Sequence, residues 1–345
     1  MDPISQGAVG AAFAQSSTQA ERIRAYALFG CLAGMAPDLD IFIQSSSDPL
    51  LFLEYHRHFT HALVFIPVGA LIVCAVLYKL ARHPLSWRQA YLACFIGYAT
   101  HGFLDACTSY GTQLFWPFSD VRISWNNVSV IDPLATLPLL ALVMLSVWKR
   151  SRRLAVAGVC WFLGYLLVGL VQHERAMATA YQMAAVKGHT PHRLTTKPGF
   201  ANLLVWKSIY EYDGHYYIDA IRVGADRRYC PGERIAVFDY DTHLPGLAMD
   251  SQQARDIERF RWFSDDYIAS MGDGDVVDVR YSAVPNEINP LWWIRVDVDA
   301  DDAVHADFIT NRRTSAAQTQ ALWMLLTGDG CQPFNHDSSS EGENT

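Results

Sequence analysis

The sequence Pro37-Asp38-Leu39-Asp40 is the first of four polar motifs that interrupt apolar sequence in the first half of the chain. The other three are His56-Arg57-His58-Phe59-Thr60-His61, Thr100-His101-Gly102-Phe103-Leu104-Asp105 and Ile131-Asp132-Pro133. Each motif lies at an end of an apolar run. If these runs alternate across a bilayer, all four motifs fall on one side of it. The stretch therefore predicts a membrane domain with a polar site at one face.

Charge and hydropathy divide the chain into two halves. Residues 1–171 contain nine acidic and eleven basic residues, whereas residues 172–345 contain 26 acidic and 16 basic residues, within a net charge of −8 and 51% apolar residues. We predict a mainly α-helical polytopic membrane domain followed by a smaller β-rich (α+β) extramembrane domain. The predicted boundaries are residues 1–171 for the membrane domain, 172–189 for a connecting helix, 190–330 for the β-rich domain and 331–345 for a disordered tail.

The membrane domain is expected to have four to five spans and a short N-terminal helix. A span needs about 20 residues at 1.5 Å per residue, which residues 62–81 supply, and the apolar runs at 21–36, 90–107, 133–148 and 154–171 are predicted as further membrane helices. Basic connections near residues 79–88 and 149–153 favour the cytoplasmic side. The polar motifs and the C-terminal domain then lie outside, which is the periplasm if the membrane is a bacterial inner membrane. No cleaved signal peptide is indicated.

Short alternating runs separated by turn signals predict strands in the C-terminal half, near residues 203–210, 215–223, 234–239, 276–281 and 292–298, with a helix near 251–271. Residues 190–199 are expected to be a linker. The alternating Asp297, Asp299 and Asp301 are more typical of a solvated strand than of a calcium site, because no closing Glu follows. Cys230 and Cys331 are the cysteines of this half, and an oxidising compartment would allow them to pair.

His101 and Asp105 are four residues apart in an apolar run, so both side chains lie on one helical face. An ionisable residue in a span needs a compensating partner. A helix-packing hydrogen bond between the two residues is one interpretation, and a shared metal ion is the other. Asp38 and Asp40 follow a helix-ending proline, and two carboxylates so close repel unless a cation or proton lies between them. The two carboxylates therefore favour the interpretation in which His101 and Asp105 share a metal ion.

Three imidazoles in the second motif add nitrogen donors to these carboxylates, and such mixed sets bind zinc, manganese or iron. An alternative arrangement places Glu54, His58 and His61 on one face of a continuous helix. The C-terminal domain offers no comparable cluster, and the cysteines of the apolar runs behave as small hydrophobic residues rather than as ligands.

These motifs resemble the YdjM-like family, described as LexA-regulated, inner-membrane-associated, metal-dependent hydrolases. The resemblance covers about residues 1–170 and is carried by the second motif, the aspartates after Pro37 and the pattern from Gly97 to Asp105, followed by Thr108, Gly111 and Leu114 to Pro117. It implies the metal ligands Asp38, Asp40, His56, His61, His101 and Asp105. The chain departs from the family at Ser5-Gln6, where a Thr-His pair is usual, and at His58, where Gly is usual.

The family is distantly similar to zinc-dependent phospholipase C, and the resemblance implies hydrolysis of a phosphoester by metal-activated water, with zinc preferred over manganese or iron. We expect Arg57 to hold a substrate phosphate and Asp132 to act as a base or further ligand. Membrane lipid and a lipid or small-molecule phosphoester are the expected partners, and no nucleic acid is expected. A noncatalytic membrane protein with a structural metal cluster and a partner-binding C-terminal domain is the main alternative, and a transporter is another.

Overall fold

The computed structural model describes residues 1–334, which form two compact units. The first unit is Met1–Val171 with Phe200–Asn202, and the second is Gln172–Gly199 with the chain from Leu203 onward. Helices dominate the first unit. They are α1 (Pro3–Ser16), α2 (Ile23–Met35), α3 (Leu51–Tyr55), α4 (Ile66–Leu80), α5 (Trp87–Ala106), α6 (Pro133–Lys149) and α7 (Arg152–Val186), the last of which continues into the second unit.

Within residues 1–334, three helical stretches are able to cross a membrane by length and composition: Ala20–Phe42, Leu63–Leu80 and Arg152–Val186. Helix α6 is apolar but shorter. Helix α5, which the sequence predicts as a span, has 20 residues but is less apolar because it carries polar residues such as Gln89 and His101. Its buried residues pack against α1, α2 and α4.

Glycines allow the helices around the polar motifs to pack closely. A Cβ atom at Gly97 of α5 would lie 2.2 Å from the carbonyl oxygen of Gly30 in α2, and one at Gly34 would lie 2.8 Å from the carbonyl oxygen of Gln6 in α1. Small residues are favoured at such interfaces because packing, rather than the hydrophobic effect, holds helices together in lipid. Helix α1, expected to be too short to span, is buried by α2, α5 and α6.

Two antiparallel sheets form the second unit within residues 1–334. The first has the order β1 (Arg193–Pro198), β2 (Val205–Tyr212), β3 (His215–Val223), β4 (Arg227–Ala236) and β9 (Gln332–Pro333), and the second has β5 (Ile268–Gly272), β6 (Asp275–Asp278), β7 (Trp292–Arg295) and β8 (Asp307–Thr310). The helices are α8 (Tyr240–His243), α9 (Gln252–Phe263) and α10 (Ala316–Thr327). These elements confirm a helical half followed by a β-rich half.

Several local predictions for the second half need correction. The expected linker at 190–199 contains β1, which pairs with β2 along its full length and ends at Pro198. The predicted helix at 251–271 ends at Phe263, and β5 follows. Residues 331–334, predicted as disordered, include β9, and residues 335–345 lie outside the described residues. The structure confirms that Cys230 and Cys331 form a disulfide.

Candidate metal centre

Four side chains from three segments converge in the first unit. Asp38, His61, His101 and Asp105 each offer one ligand atom, and these four atoms lie within 4.8 Å of one another. Three of the residues are buried, whereas the side chain of Asp38 is 20% exposed. Such a set of two imidazoles and two carboxylates can hold a divalent metal ion.

His101 is oriented by the backbone of α2. Its Nδ1 atom lies 2.5 Å from the carbonyl oxygen of Gly34, and a carbonyl oxygen only accepts hydrogen bonds, so Nδ1 carries the proton. Its Nε2 atom is thereby directed to the cluster, where Asp38 Oδ1 lies 3.3 Å and Asp105 Oδ2 lies 3.5 Å away. The close packing of α5 on α2 places His101 within reach of this carbonyl.

His61 meets His101 through its own Nε2 atom, at a distance of 2.9 Å. It lies on the short 3-10 turn Phe59–His61, and this turn approaches α5 so closely that a Cβ atom at Gly102 would lie 2.4 Å from the carbonyl oxygen of His61. Two facing lone pairs at 2.9 Å repel each other unless a proton or a cation lies between them. The pair of imidazoles therefore calls for a positive charge at this point.

Asp40 and His56 form a second layer behind His61. One oxygen of Asp40 lies 3.2 Å from His61 Nδ1 and accepts hydrogen bonds from the Thr60 hydroxyl and the Arg57 amide, at 2.8 and 3.0 Å. Its other oxygen lies 2.8 Å from His56 Nδ1. A carboxylate in this position fixes the tautomer and orientation of a ligating histidine. The structure thus separates the six predicted ligands into an inner group of four and this outer pair.

The two carboxylate oxygens of Asp105 have different surroundings. Oδ1 accepts a hydrogen bond of 2.8 Å from Gln6 Nε2 and also contacts the amino group of Met1. Oδ2 faces His61 Nε2 and Arg57 Nε, each at 3.1 Å, yet it accepts no hydrogen bond of normal geometry from the described residues. A buried carboxylate oxygen without a donor is costly, and a metal ion at this position would satisfy it.

Arg57 lies beside the cluster in a backbone conformation that is rare for residues other than glycine, with φ of 63°. Its side chain is buried, donates to the Thr108 hydroxyl at 2.9 Å and stacks 4.9 Å from the centre of the Tyr110 ring. The guanidinium is therefore a fixed positive charge at the edge of the centre, next to Asp105.

Two other predicted or discussed residues have different surroundings. Asp132 caps α6, because one oxygen accepts from the amides of Leu134 and Ala135 and the other accepts from the Tyr165 hydroxyl at 2.6 Å. It is not in the group of four. His58 packs its ring against Tyr55, Phe59 and Trp116.

The alternative face of Glu54, His58 and His61 does not form, because α3 ends at Tyr55 and the 3-10 turn begins only at Phe59. The residue that the sequence analysis missed is Gln6, which lies fully buried beside Asp105. Its signal is the polar pair Ser5-Gln6 within a helix of small residues, which the sequence analysis treats only as a departure from the family pattern.

Comparisons with known proteins concern the first half of the chain. A family model described as "YdjM inner membrane protein" matches residues 1–176. The uncharacterized protein YfhP of Bacillus subtilis (strain 168) is 25% identical over 160 residues, an alignment that covers 45% of this chain and 48% of that relative. The chain thus matches about half the length of this curated relative. No solved structure matches.

Proposed function

Because the chain belongs to the YdjM inner membrane protein family, we propose that its helical unit is a metal-dependent hydrolase of phosphoester bonds in lipid-associated substrates. The observation that carries the proposal is the convergence of His61 Nε2 and His101 Nε2, 2.9 Å apart, with the carboxylates of Asp38 and Asp105. A single helix-packing hydrogen bond would need two of these residues, whereas a metal ion makes use of all four.

The residues present fit a divalent metal ion. The unsatisfied Oδ2 atom of Asp105 and the two facing imidazole nitrogens are groups that a cation would satisfy together. Imidazole suits zinc and iron, and carboxylate suits manganese, so zinc is our first choice and the other two metals are alternatives. When bound, such a metal lowers the pKa of a coordinated water and polarises a phosphoryl oxygen.

The chain's own groups then have distinct tasks. Gly34 and Asp40 orient the two histidines through their Nδ1 atoms, which keeps both Nε2 atoms available. The guanidinium of Arg57 supplies a positive charge that favours a phosphate group at this edge of the centre. Asp38 is the partly exposed member of the four, so substrate approaches on its side.

Apolar side chains beside Asp38 support a lipid substrate. Leu39 and Phe42, on the same 3-10 turn as Asp38, are 62% and 78% exposed. Exposed apolar groups next to a polar centre are favourable in contact with acyl chains, and they are unfavourable in water. A headgroup bound at the centre would leave its acyl chains against this turn.

We further propose four to five membrane spans in a bacterial inner membrane, with the metal centre and the C-terminal unit on the periplasmic side. The disulfide between Cys230 and Cys331 supports this orientation, because disulfides persist in oxidising compartments. A reporter enzyme that is active only in the periplasm should be active when it is fused after Gly188. Activity of a second reporter that works only in the cytoplasm, fused at the same residue, would place the centre on the inner face.

Metal analysis combined with hydrolysis assays tests the function. The full chain, purified in detergent, should hold about one equivalent of zinc and cleave a chromogenic phosphodiester or a short-chain phospholipid. His101→Ala should lose both properties, with a fall in metal affinity beyond the roughly 10–100-fold expected for loss of an outer-layer partner. His58→Ala, a nearby histidine outside the group, serves as the matched control.

Three outcomes separate the alternatives. Metal lost together with hydrolysis in His101→Ala alone agrees with the proposal. Metal bound without turnover of any phosphoester would favour a noncatalytic protein with a structural metal. A parent chain that neither contains nor takes up zinc, manganese or iron would contradict the metal centre.

A further inference from the structure

Gln6 is a buried amide that contacts the metal centre from the side of α1. Its side chain is 0% exposed, and Nε2 donates to Asp105 Oδ1 at 2.8 Å. Its Oε1 atom has no hydrogen-bond partner among the described residues. An amide buried with its oxygen unpartnered costs free energy, and what distinguishes Gln6 is that its amide nitrogen contacts a carboxylate of the metal centre.

The packing of α1 fixes where this amide lies. Asp2 caps the helix by accepting hydrogen bonds from the amides of Ile4 and Ser5, and the backbone of Gln6 approaches α2 at Gly34, where a Cβ atom would come within 2.8 Å of the Gln6 carbonyl oxygen. Gly34 is also the residue whose carbonyl orients His101. Gly34 therefore lies against both the backbone of Gln6 and the ring of His101.

The hydrogen bond from Gln6 acts on one oxygen of Asp105 and leaves the other free. With Oδ1 held by the amide of Gln6 and the amino group of Met1, rotation of the carboxylate is restricted, and Oδ2 stays directed to His61 and His101 at 3.1 and 3.5 Å. Because an amide is neutral, it orients the carboxylate without cancelling the negative charge that attracts a cation. Arg57 differs in this respect, since its guanidinium lies 3.1 Å from Oδ2 and competes with a cation there.

We propose that Gln6 is a positioning residue of the metal centre, which holds the Asp105 carboxylate so that Oδ2 faces the ion. This inference rests on the proposed metal site, but it concerns a residue outside the group of four. Partners in the outer layer of a metal site change affinity by about 10–100-fold when they are removed. Gln6 thus acts on Asp105 as Asp40 acts on His61.

The test compares two glutamines of the same helix. Gln15 is also 0% exposed, also has an Oε1 atom without a partner among the described residues, and donates to the Val143 carbonyl instead of a ligand. Gln6→Met and Gln15→Met each keep the length of the side chain and remove the amide. Zinc affinity is measured on the purified full chain by competition with a chromophoric chelator, and thermal unfolding is measured on the metal-free protein.

We expect Gln6→Met to bind zinc about 10–100-fold more weakly than the parent, while Gln15→Met binds it as the parent does and the metal-free forms of both variants unfold at similar temperatures. If Gln6→Met is not folded, Gln6→Ala removes the amide without adding bulk. Parent-like zinc affinity in the folded Gln6 variant would overturn the positioning role and leave the proposed function intact. A parent chain that binds no zinc would overturn both.

Discussion

Asp278 and Asp38 are both carboxylates held among other side chains, one in each unit, but their neighbours differ. The guanidinium of Arg280 donates to both oxygens of the fully buried Asp278, at 2.9 and 2.8 Å, and Trp292 adds a third donor at 3.2 Å. Asp38 instead faces the Nε2 atoms of His61 and His101, at 3.6 and 3.3 Å. The first carboxylate is neutralised within the chain, and the second faces nitrogens that themselves call for a cation.

Lys207 shows a third way to accommodate a buried charge. Its ammonium group donates to the Ser282 hydroxyl and the Glu287 carbonyl, at 2.7 and 2.9 Å, and both acceptors are neutral. Burial lowers the pKa of Lys207 to about 7, so loss of the proton near neutral pH is the way in which this group avoids a buried charge. The comparison teaches that burial of a charge is not itself a sign of a metal site, since the donors around the group decide whether pairing, proton loss or ion binding resolves it.

The largest effect on stability is expected when the charge of the paired carboxylate, Asp278, is removed. Asp278→Asn leaves the Arg280 guanidinium buried without its counter-ion, and loss of one member of such a pair costs about 3–5 kcal/mol. The free energy of unfolding of the full chain should fall accordingly in a denaturant titration, and zinc affinity should not change. Asp275→Asn, in the exposed pair with Arg295, is the matched control and should have a much smaller effect. Equal effects of the two changes would refute the distinction.

The corresponding change in the first unit should have the opposite pattern. Asp38→Asn removes an inner ligand, so zinc affinity should fall by more than the roughly 100-fold upper value for an outer partner. The metal-free protein should unfold at nearly the parent temperature, because Asp38 is partly exposed and its charge is not matched to a guanidinium in the way that of Asp278 is. Chelator competition and thermal unfolding measure the two quantities. Retained affinity with lost stability would assign Asp38 a structural role.

The smallest effect concerns Lys207 and pH. Unfolded lysine keeps its proton up to a pKa of about 10.4, whereas folded Lys207 loses it above about 7. Between these values the unfolded state binds more protons, so the free energy of unfolding should rise with pH by about 1 kcal/mol per unit. Below about 7 both states are protonated and the contribution is constant. Lys207→Met should flatten the slope of unfolding free energy measured from pH 7 to 9. An unchanged slope would assign the dependence to other groups.

Much of the site was predictable because its signals are local. His101 and Asp105 share a helical face by spacing alone, and Asp38 follows a proline that ends a helix. The division into inner and outer residues was not predictable, because Asp40 and His56 are separated from the inner group by the fold of the turn at Phe59–His61. Gln6 was missed because its role depends on α1 packing against α2. The role of Asp132 as a helix cap was predictable, since Asp before Pro is typical of a helix start.

The charge pattern predicts the division into two halves, but it does not predict the elements near the junction of the halves. Residues 172–186 are rich in polar side chains and were expected to form a separate helix, yet no proline or glycine interrupts the chain there and α7 runs on to Val186. Strand β1 follows Pro191 and ends at Pro198, and two prolines within so few residues are typical of a linker. Its pairing with β2 is a tertiary contact that no local pattern reveals.

The disulfide makes part of the second unit a covalent ring. Cys230 and Cys331 are 101 residues apart, and the ring that they close contains the whole sheet β5 to β8 together with α9 and α10. A protease that cuts one exposed loop within this ring leaves both fragments attached to each other. A molecule nicked once would therefore migrate as one chain until it is reduced, because a single cut in any surface loop between these cysteines releases no fragment.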